Sequence, residues 1–568
     1  MVDFNKHLNK PAQQQDLFSN ATPEEFIEEG VVLNPAVKTF VPSPQQQEVF
    51  NWAQYQDGHA IVISVAGSGK TTTIVEMVTR ITGSILILAF NKKIADELKA
   101  RISELQLNNV KAATFHSHGW GLWRGIAPSC LIEGYGKGNA GYFKIARIFD
   151  EVEINGQTIP YIYKSFVRKA VTYAKQRLFG FEINMEDNKE WLNMVDHFDM
   201  DEDIANELAS LDPESEELTI SVDTHVQRAI RWSIACLQHS IKIAREVIDF
   251  EDMIYMPLIS GMRPRWKNDW VLVDEAQDSN PARQAYVRLV LKPTGRTVWV
   301  GDPHQAIYGF TGADDKSLEN IRHKFGCVDL PLTFSYRCPK AIVKVAQMWV
   351  SHIQAHPDAP EGTFRAIEES ELVAMNFEPT DAILCRVNAP LVRLALQLIR
   401  RNIPCYVEGT DIGEGLLKLV DRFKDVTGLD HFRKVLEDYK EEEVNKAMAK
   451  GKEAKAENIA DMVDCMIVII ASMEVGSTLY QLRTKIQGMF LDGENQRKQM
   501  LVLSSIHKSK GREWPRVFWY GPNIYQPSKY ARQDWQRRQE NNLFYVAATR
   551  AKSELYRVKV DIRYGKKV

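Results

Sequence analysis

The 568-residue chain has no apolar run near the roughly 20 residues that a membrane-spanning helix needs, so an embedded protein is not expected. Its opening, MVDFNKHLNKPAQQQDLFSN, lacks both a basic start with an apolar stretch and a small-residue cleavage site. A secretory leader is not expected either, and a cytosolic or nuclear location is. Cysteine is sparse: Cys130, Cys236, Cys327, Cys338, Cys385, Cys405 and Cys465 lie far apart with no CxxC pair. That spacing argues against a zinc knuckle, an iron–sulfur cluster or a disulfide framework and leaves buried free thiols. A charge excess is missing too. The 71 Lys and Arg against 74 Asp and Glu give a net charge of -3. Bulk electrostatics therefore offers no case for a polyanionic partner, which must be read from local sites if at all. No fixed-period repeat is present.

What is there is the composition of a globular protein, 44% hydrophobic and 26% charged. At roughly 100–200 residues per domain, this length predicts three to five domains. Short β-rich runs recur: AIVISVA (60–66), SILILAF (84–90), WVLVDEA (270–276), TVWVGD (297–302), DAILCRV (381–387), MLVLSSI (500–506) and RVFWYG (516–521). Helical segments such as NKKIADELKARI and NAPLVRLALQLIRR alternate with them, which predicts parallel sheets covered by helices. The runs fall into two groups and predict an α/β chain of two lobes, 41–118 with 250–325 and 326–410 with 499–568. Mainly helical insertions of 119–249 and 411–498 interrupt them, after a flexible tail of 1–40. The first insertion is rich in aromatics (Trp120, Trp123, Tyr135, Tyr142, Tyr161, Tyr163), which serve either core packing or a duplex junction. The second carries KEEEVNKAMAKGKEAKAEN, with the alternating charge of a solvated helix, and reads as a passive subdomain or a partner dock.

The strongest chemical signal is AGSGKTT (66–72), which follows a strand and opens a helix. Ala66, Gly67, Ser68 and Gly69 can close backbone N–H groups around phosphates, and Lys70 supplies a point charge. The Thr71 hydroxyl can reach Mg²⁺, and Thr72 continues the turn. In VDEAQD (273–278) a buried strand ends in Asp274, placed to hold Mg²⁺, with Glu275 placed to orient the attacking water. Together the two motifs specify hydrolysis of a nucleoside triphosphate.

Further motifs follow in order: SPQQQEV (43–49), LAFNKKIADEL (88–98), TFHSHG (114–119), DFEDMIY (249–255), VGDPHQAIYGFTGAD (300–314), LTFSYRCP (332–339), LCRVNAP (384–390), SSIHKSKGREWPRVF (504–518) and NLFYVAATRAK (542–552). The series resembles the UvrD/Rep family of superfamily 1 helicases across about residues 43–556, in wording closest to the F-box DNA helicase branch and its microbial and phage relatives. No F-box is apparent, so the resemblance implies only the motor: two RecA-like P-loop lobes. It implies that Gln46 reads the adenine edge and Tyr336 stacks on its face. Gln305 senses the γ-phosphate, and Glu513 holds the sugar. Arg337 and Arg550 reach across the cleft as arginine fingers, a role suited to an always-charged planar fork. The track contacts implied are Phe90, Asn91, Thr114, His116, Tyr308, Phe310 and His507, where aromatic stacking tolerates any base. Thr311 and Thr72 stand where many or some relatives carry arginine.

The resemblance further implies an ATP-dependent DNA helicase moving 3′→5′ on single-stranded DNA and meeting duplex junctions. A translocase that strips proteins with little unwinding, and a motor subunit of a larger complex, remain alternatives. So does RNA as the track. No carboxylate-rich nuclease domain follows Arg550, so nuclease activity is not expected, and a monomer or weak oligomer is. In the tail, Gln14-Gln15-Asp16-Leu17-Phe18 resembles the clamp-binding peptide of bacterial replication proteins, with Gln15 in place of the usual leucine, and offers an exposed Leu-Phe pair to a sliding clamp.

Overall fold

The computed structural model describes residues 40–133, 144–198, 200–209, 211, 215–307, 316–423, 426–449, 453–490, 500–529, 531 and 534–560. Residues 1–43 separate from 44–568 as a unit of their own, and its described part, 40–43, has neither helix nor strand. The tail peptide Gln14–Phe18 lies outside the described residues.

Two six-stranded sheets organise residues 44–568. The first runs in the order Cys327–Leu332, His59–Ser64, Leu291–Gly301, Asn268–Val273, Ile85–Ala89, Val110–Thr114. Every pair in it is parallel. The central run ILILA is buried at all five positions, as a strand covered on both faces requires. The helix Lys92–Glu104 covers the sheet with Ala95, Leu98 and Ile102 and turns its charges outward. The strand Cys327–Leu332 corrects the lobe boundary expected at 325/326, since it pairs with His59–Ser64 in the first sheet. Only Leu330 and Leu332 of that strand are fully buried, so an edge strand left no continuous apolar run to read.

The second sheet is also wholly parallel, in the order Thr363–Glu368, Ala551–Lys559, Trp514–Tyr520, Asp381–Cys385, Leu501–Ser505, Cys405–Val407. The seven cysteines are free, and all but Cys327 are buried. Among the described residues no helix is long and apolar enough to cross a membrane.

The first insertion shares one continuous apolar core with the first sheet, from Ile61 and Leu86 through Phe166 to Trp191 and Trp232. Its two ends are joined by a short parallel pairing of Leu131–Ile132 with Val247–Ile248. Trp123 and Tyr163 belong to that core and Tyr161 is exposed, whereas Tyr135 and Tyr142 lie outside the described residues. The second insertion packs helices Thr410–Arg422, Leu429–Ala449, Glu453–Ala471 and Leu479–Phe490 against the second sheet. The single solvated helix expected there is two helices, with Ala447 and Ala456 buried against each other, because small residues spaced among the charges form a packing face. Asp461 of this insertion accepts the N–H groups of Asn388 at 2.9 Å and Ala389 at 2.7 Å and so caps the helix Ala389–Arg400.

Between the sheets lies a third apolar cluster. It joins Val65, Ala66 and Ile307 of the first lobe to Cys338, Ile342, Leu543, Tyr545 and Val546 of the second. The phosphate-type loop therefore begins in a core to which both lobes contribute.

Candidate active site and nucleic-acid interface

The loop begins where two central strands end. Ser64 Oγ donates to the Gly301 carbonyl at 2.8 Å, which fastens them at the mouth of the cleft. Gly67 and Gly69 then take φ of +72° and +79°, a left-handed backbone that a β-carbon opposes. At Gly67 a β-carbon would also stand 2.9 Å from Ser335 Oγ, so the loop presses on the second lobe. That lobe holds it on both sides: Ala66 N–H donates to the Tyr545 hydroxyl at 2.7 Å, and Tyr336 N–H donates to the Gly67 carbonyl at 2.8 Å. Ser68 Oγ is buried with no hydrogen-bond partner among the described residues, an orphan donor at the point where the motif predicts a phosphate.

The adenine-side residues come together. Gln46 is buried and donates to Thr73 Oγ1 at 3.0 Å, and the Tyr336 hydroxyl donates to Gln46 Oε1 at 3.3 Å. Tyr336 remains 44% exposed, with the His356 ring tilted against it at 4.8 Å. Lys70 opens the helix Lys70–Val78, so Thr71 and Thr72 occupy its first turn, where Arg101 Nη1 approaches Thr72 Oγ1 at 3.5 Å.

The carboxylates stand at the end of the strand Asn268–Val273. Burial and the adjacent Glu275 push Asp274 up to about 7, against the pull of Lys70. Glu275 feels the same desolvation, but Lys70, Lys510 and Arg550 outweigh it and hold this carboxyl at about 2. Lys70 Nζ lies 3.8 Å from Glu275 Oε1. Glu275 itself has φ 53° and ψ 45°, a left-handed conformation that costs a non-glycine residue about 1–3 kcal/mol and clusters at functional sites. Gln277 secures it by donating to its carboxylate while accepting Asp302 N–H at 3.0 Å. Gly301 has no side chain because a β-carbon there would stand 2.6 Å from Gln277 Oε1. The buried Asp274 carboxyl at the strand end and the unpartnered Ser68 hydroxyl on the loop are oxygen groups whose chemistry fits a hard divalent cation and phosphate respectively.

Charge from the second lobe completes the cleft. Arg550 is 1% exposed and donates to Gln305 Oε1 at 3.3 Å and to the Arg512 carbonyl at 3.1 Å. Burial, then the neighbouring Arg337, draws its pKa down to about 10, which leaves it charged. Gln305 donates to Asp302 Oδ2 at 2.7 Å, and the Tyr545 hydroxyl donates to the same oxygen at 3.3 Å. Arg337 pairs with Glu513 and donates to the Thr549 carbonyl at 3.4 Å, and Glu513 also meets Lys552 at 3.5 Å. Here Glu513 neutralises cations.

Sequence reasoning missed Lys510. Its ammonium crosses to the first lobe and donates to Asp278 at 2.7 and 3.0 Å and to the Gln305 carbonyl at 2.6 Å. The signal was present, since Lys510 falls within the motif that contains Glu513, but nothing local says which lysine turns inward.

The predicted track residues have mixed fates. Asn91 and Thr114 cap helices, accepting Ile94 N–H at 3.0 Å and Ser117 N–H at 3.1 Å. Arg283 lies 4.6 Å over the Phe90 ring. His116 is only 6% exposed, with its ring stacked against that of Phe250 at a centroid distance of 3.6 Å. Burial, then Arg283, pushes its pKa down to about 3, and burial, then Arg386, does the same for His507. Tyr308, Phe310 and Thr311 lie outside the described residues.

Comparison with known proteins agrees with this geometry. The UvrD/REP helicase N-terminal domain matches residues 43–326, and the UvrD-like helicase C-terminal domain matches 417–560. DNA helicase IV of Escherichia coli (strain K12) is 24% identical over 358 residues, which is 58% of this chain and 50% of that protein. ATP-dependent DNA helicase Rep of Buchnera aphidicola subsp. Baizongia pistaciae is 25% identical over 317 residues, 52% of this chain and 42% of that one. F-box DNA helicase 1 of Gallus gallus is 25% identical over 534 residues, 89% of this chain and 48% of that one. The chain spans about half the length of the relatives it matches. With a phosphate loop, an acidic strand end and second-lobe arginines in one cleft, and with both family domains matched in order, the chain belongs to the UvrD/Rep family of DNA helicases.

Proposed function

We propose that this chain is an ATP-dependent motor that moves 3′→5′ along single-stranded DNA and separates duplex in replication, repair or recombination. The observation that carries this reading is the contact of Arg550, from the second lobe, with Gln305 of the first, beside the loop that Tyr545 and Tyr336 also hold. A cleft completed by charge from the opposite lobe makes closure depend on a γ-phosphate, and loss of that phosphate releases the grip.

Ala66, Gly67, Ser68 and Gly69 cradle the phosphates, and Lys70 faces the outer ones. Thr71 and Asp274 are the residues that would hold Mg²⁺, which when bound neutralises phosphate charge. Glu275, kept ionised by Lys70, orients the attacking water and accepts its proton. Gln46 and Tyr336 take the adenine, and Thr72 flanks the loop. Arg337 moves from Glu513 to the phosphates when nucleotide enters, which frees Glu513 for the sugar. The track residues are Phe90, Asn91, Thr114, His116, Tyr308, Phe310 and His507, with Gln14–Phe18 as a separate tether to a sliding clamp.

A stopped-flow strand-separation assay with the purified chain tests this directly. Unwinding is expected on duplexes with a 3′ single-stranded overhang, and a preference for 5′ overhangs would overturn the polarity. ATP turnover stimulated by single strands without strand separation would transfer the reading to protein displacement. No stimulation at all would sink the motor.

A further inference from the structure

The segment FSYRCP leaves the cleft behind a short strand, Phe334–Ser335, which pairs in parallel with Gln354–Ala355. The register sets Phe334 beside Gln354 and Ser335 beside Ala355, so the residues that follow, Tyr336 and His356, come side by side. One more backbone bond carries the pairing on, since His356 N–H donates to the Ser335 carbonyl at 3.1 Å. The two rings meet with centroids 4.8 Å apart and planes 32° from parallel, inside the range in which ring pairs attract. At that angle the imidazole covers a face of the phenol rather than its edge. His356 lies outside every motif of the series.

The imidazole is fixed from its own side. His356-Pro357-Asp358-Ala359 forms a turn in which Ala359 N–H donates to the His356 carbonyl at 2.9 Å, with proline presetting the backbone at the second position. Asp358 N–H donates to His356 Nδ1 at 3.3 Å, and its carboxylate lies 3.8 Å from the same nitrogen. Tyr336 is tethered by its two ends: its N–H donates to the Gly67 carbonyl at 2.8 Å and its hydroxyl to Gln46 Oε1 at 3.3 Å. Its ring also reaches the phosphate loop, where a β-carbon on Gly69 would stand 3.9 Å from Tyr336 Cδ2. The tethers fix where the ring sits, and His356 fixes which way its plane lies.

We propose that His356 is a positioning residue for the nucleotide: it backs Tyr336, so that the exposed surface of the phenol, 44% of the residue, is held ready for the adenine. The inference rests on Tyr336 taking the adenine, as proposed above, and adds the residue that holds this platform in place. A ring already backed on one side loses little freedom when a base covers the other, so the gain is one of preorganisation. It falls on the base and is the same before and during hydrolysis. Binding of ATP therefore depends on His356, and the chemical step does not.

The test uses the full chain, a phosphate-release assay with ATP, and inorganic tripolyphosphate as a competitor that has no base. His356→Ala is expected to raise the KM for ATP about five-fold while kcat and the tripolyphosphate inhibition constant stay unchanged, and His356→Phe to restore the KM. Thermal melting followed by circular dichroism checks that both variants are folded. A wild-type KM in a folded His356→Ala protein would overturn this proposal alone. A parallel rise in the tripolyphosphate constant would also overturn it, marking a disturbed phosphate loop, and so would failure of phenylalanine to restore the KM. A wild-type KM in Tyr336→Ala would instead remove the adenine platform itself, and this proposal with it.

Discussion

The candidate nucleotide cleft and the proposed polynucleotide face are built by opposite means. In the cleft, function rides on charge: Lys70, Glu275, Arg550 and Lys510 are buried or nearly so, and they compensate one another across two lobes. On the proposed face, the side chains are committed to caps and packing. Asn91 and Thr114 spend their side chains on helix caps, and His116 lies under Phe250. The difference follows from physics. A buried charge must meet an opposite charge or a ligand, so its residue type announces its task. An aromatic ring serves core and platform equally well, and only its exposure separates the two.

The sharpest way to break the comparison is to remove charge from the cleft. Lys70→Ala is expected to lower ATP turnover by about a thousand-fold or more, and Glu275→Gln to stop turnover while ATP stays bound. Filter binding with labelled nucleotide beside a phosphate-release assay reads both, and wild-type turnover in either variant would refute the site. Next comes Lys510→Met, which strands the buried Asp278 carboxylate without its cation and should destabilise the chain by about 3–5 kcal/mol. Chemical denaturation measures this, and the double variant with Asp278→Asn should recover much of the loss. Additive losses would show that the pair is not coupled.

A third prediction concerns protons at the face. His116 is held neutral with a folded pKa of about 3, below the ordinary value of 6.5. Between those values the unfolded chain binds the extra proton. Stability therefore falls as pH drops through 6.5 toward 3, by at most about 1.4 kcal/mol per unit from this residue. His116→Phe should flatten that dependence in denaturation curves taken between pH 7 and 4. A slope unchanged from wild type would show that the imidazole is not held neutral.

Smaller in free energy is the loss expected for Tyr308→Ala with Phe310→Ala, about ten-fold in the oligonucleotide concentration that half-stimulates ATP turnover. An unchanged half-point would assign both rings to packing. The smallest effect expected is that of the tail: a peptide of residues 9–22 should bind a bacterial sliding clamp weakly, and Leu17→Ala with Phe18→Ala should abolish it. Equal binding by both peptides would dispose of the tether and leave the motor untouched.

Much of this molecule is decided by local sequence. The continuous apolar run ILILA forms a strand covered on both faces, and AGSGKTT after a strand forms a loop in which Gly67 and Gly69 take left-handed backbone before a helix. Asp274 and Glu275 stood out by residue type at the end of a buried strand, whereas Gln46, Gln305, Arg337 and Arg550 were singled out only by the family resemblance. Tertiary structure alone decided the rest. Edge strands such as Cys327–Leu332 and Thr363–Glu368 bury too little to announce themselves, and their membership was settled by hydrogen bonds to distant partners. The inward turn of Lys510 toward Asp278, 232 residues away, has no local signature. The placing of His356 against Tyr336 was set by the pairing of Phe334–Ser335 with Gln354–Ala355, since strands this short have no pattern of their own to read.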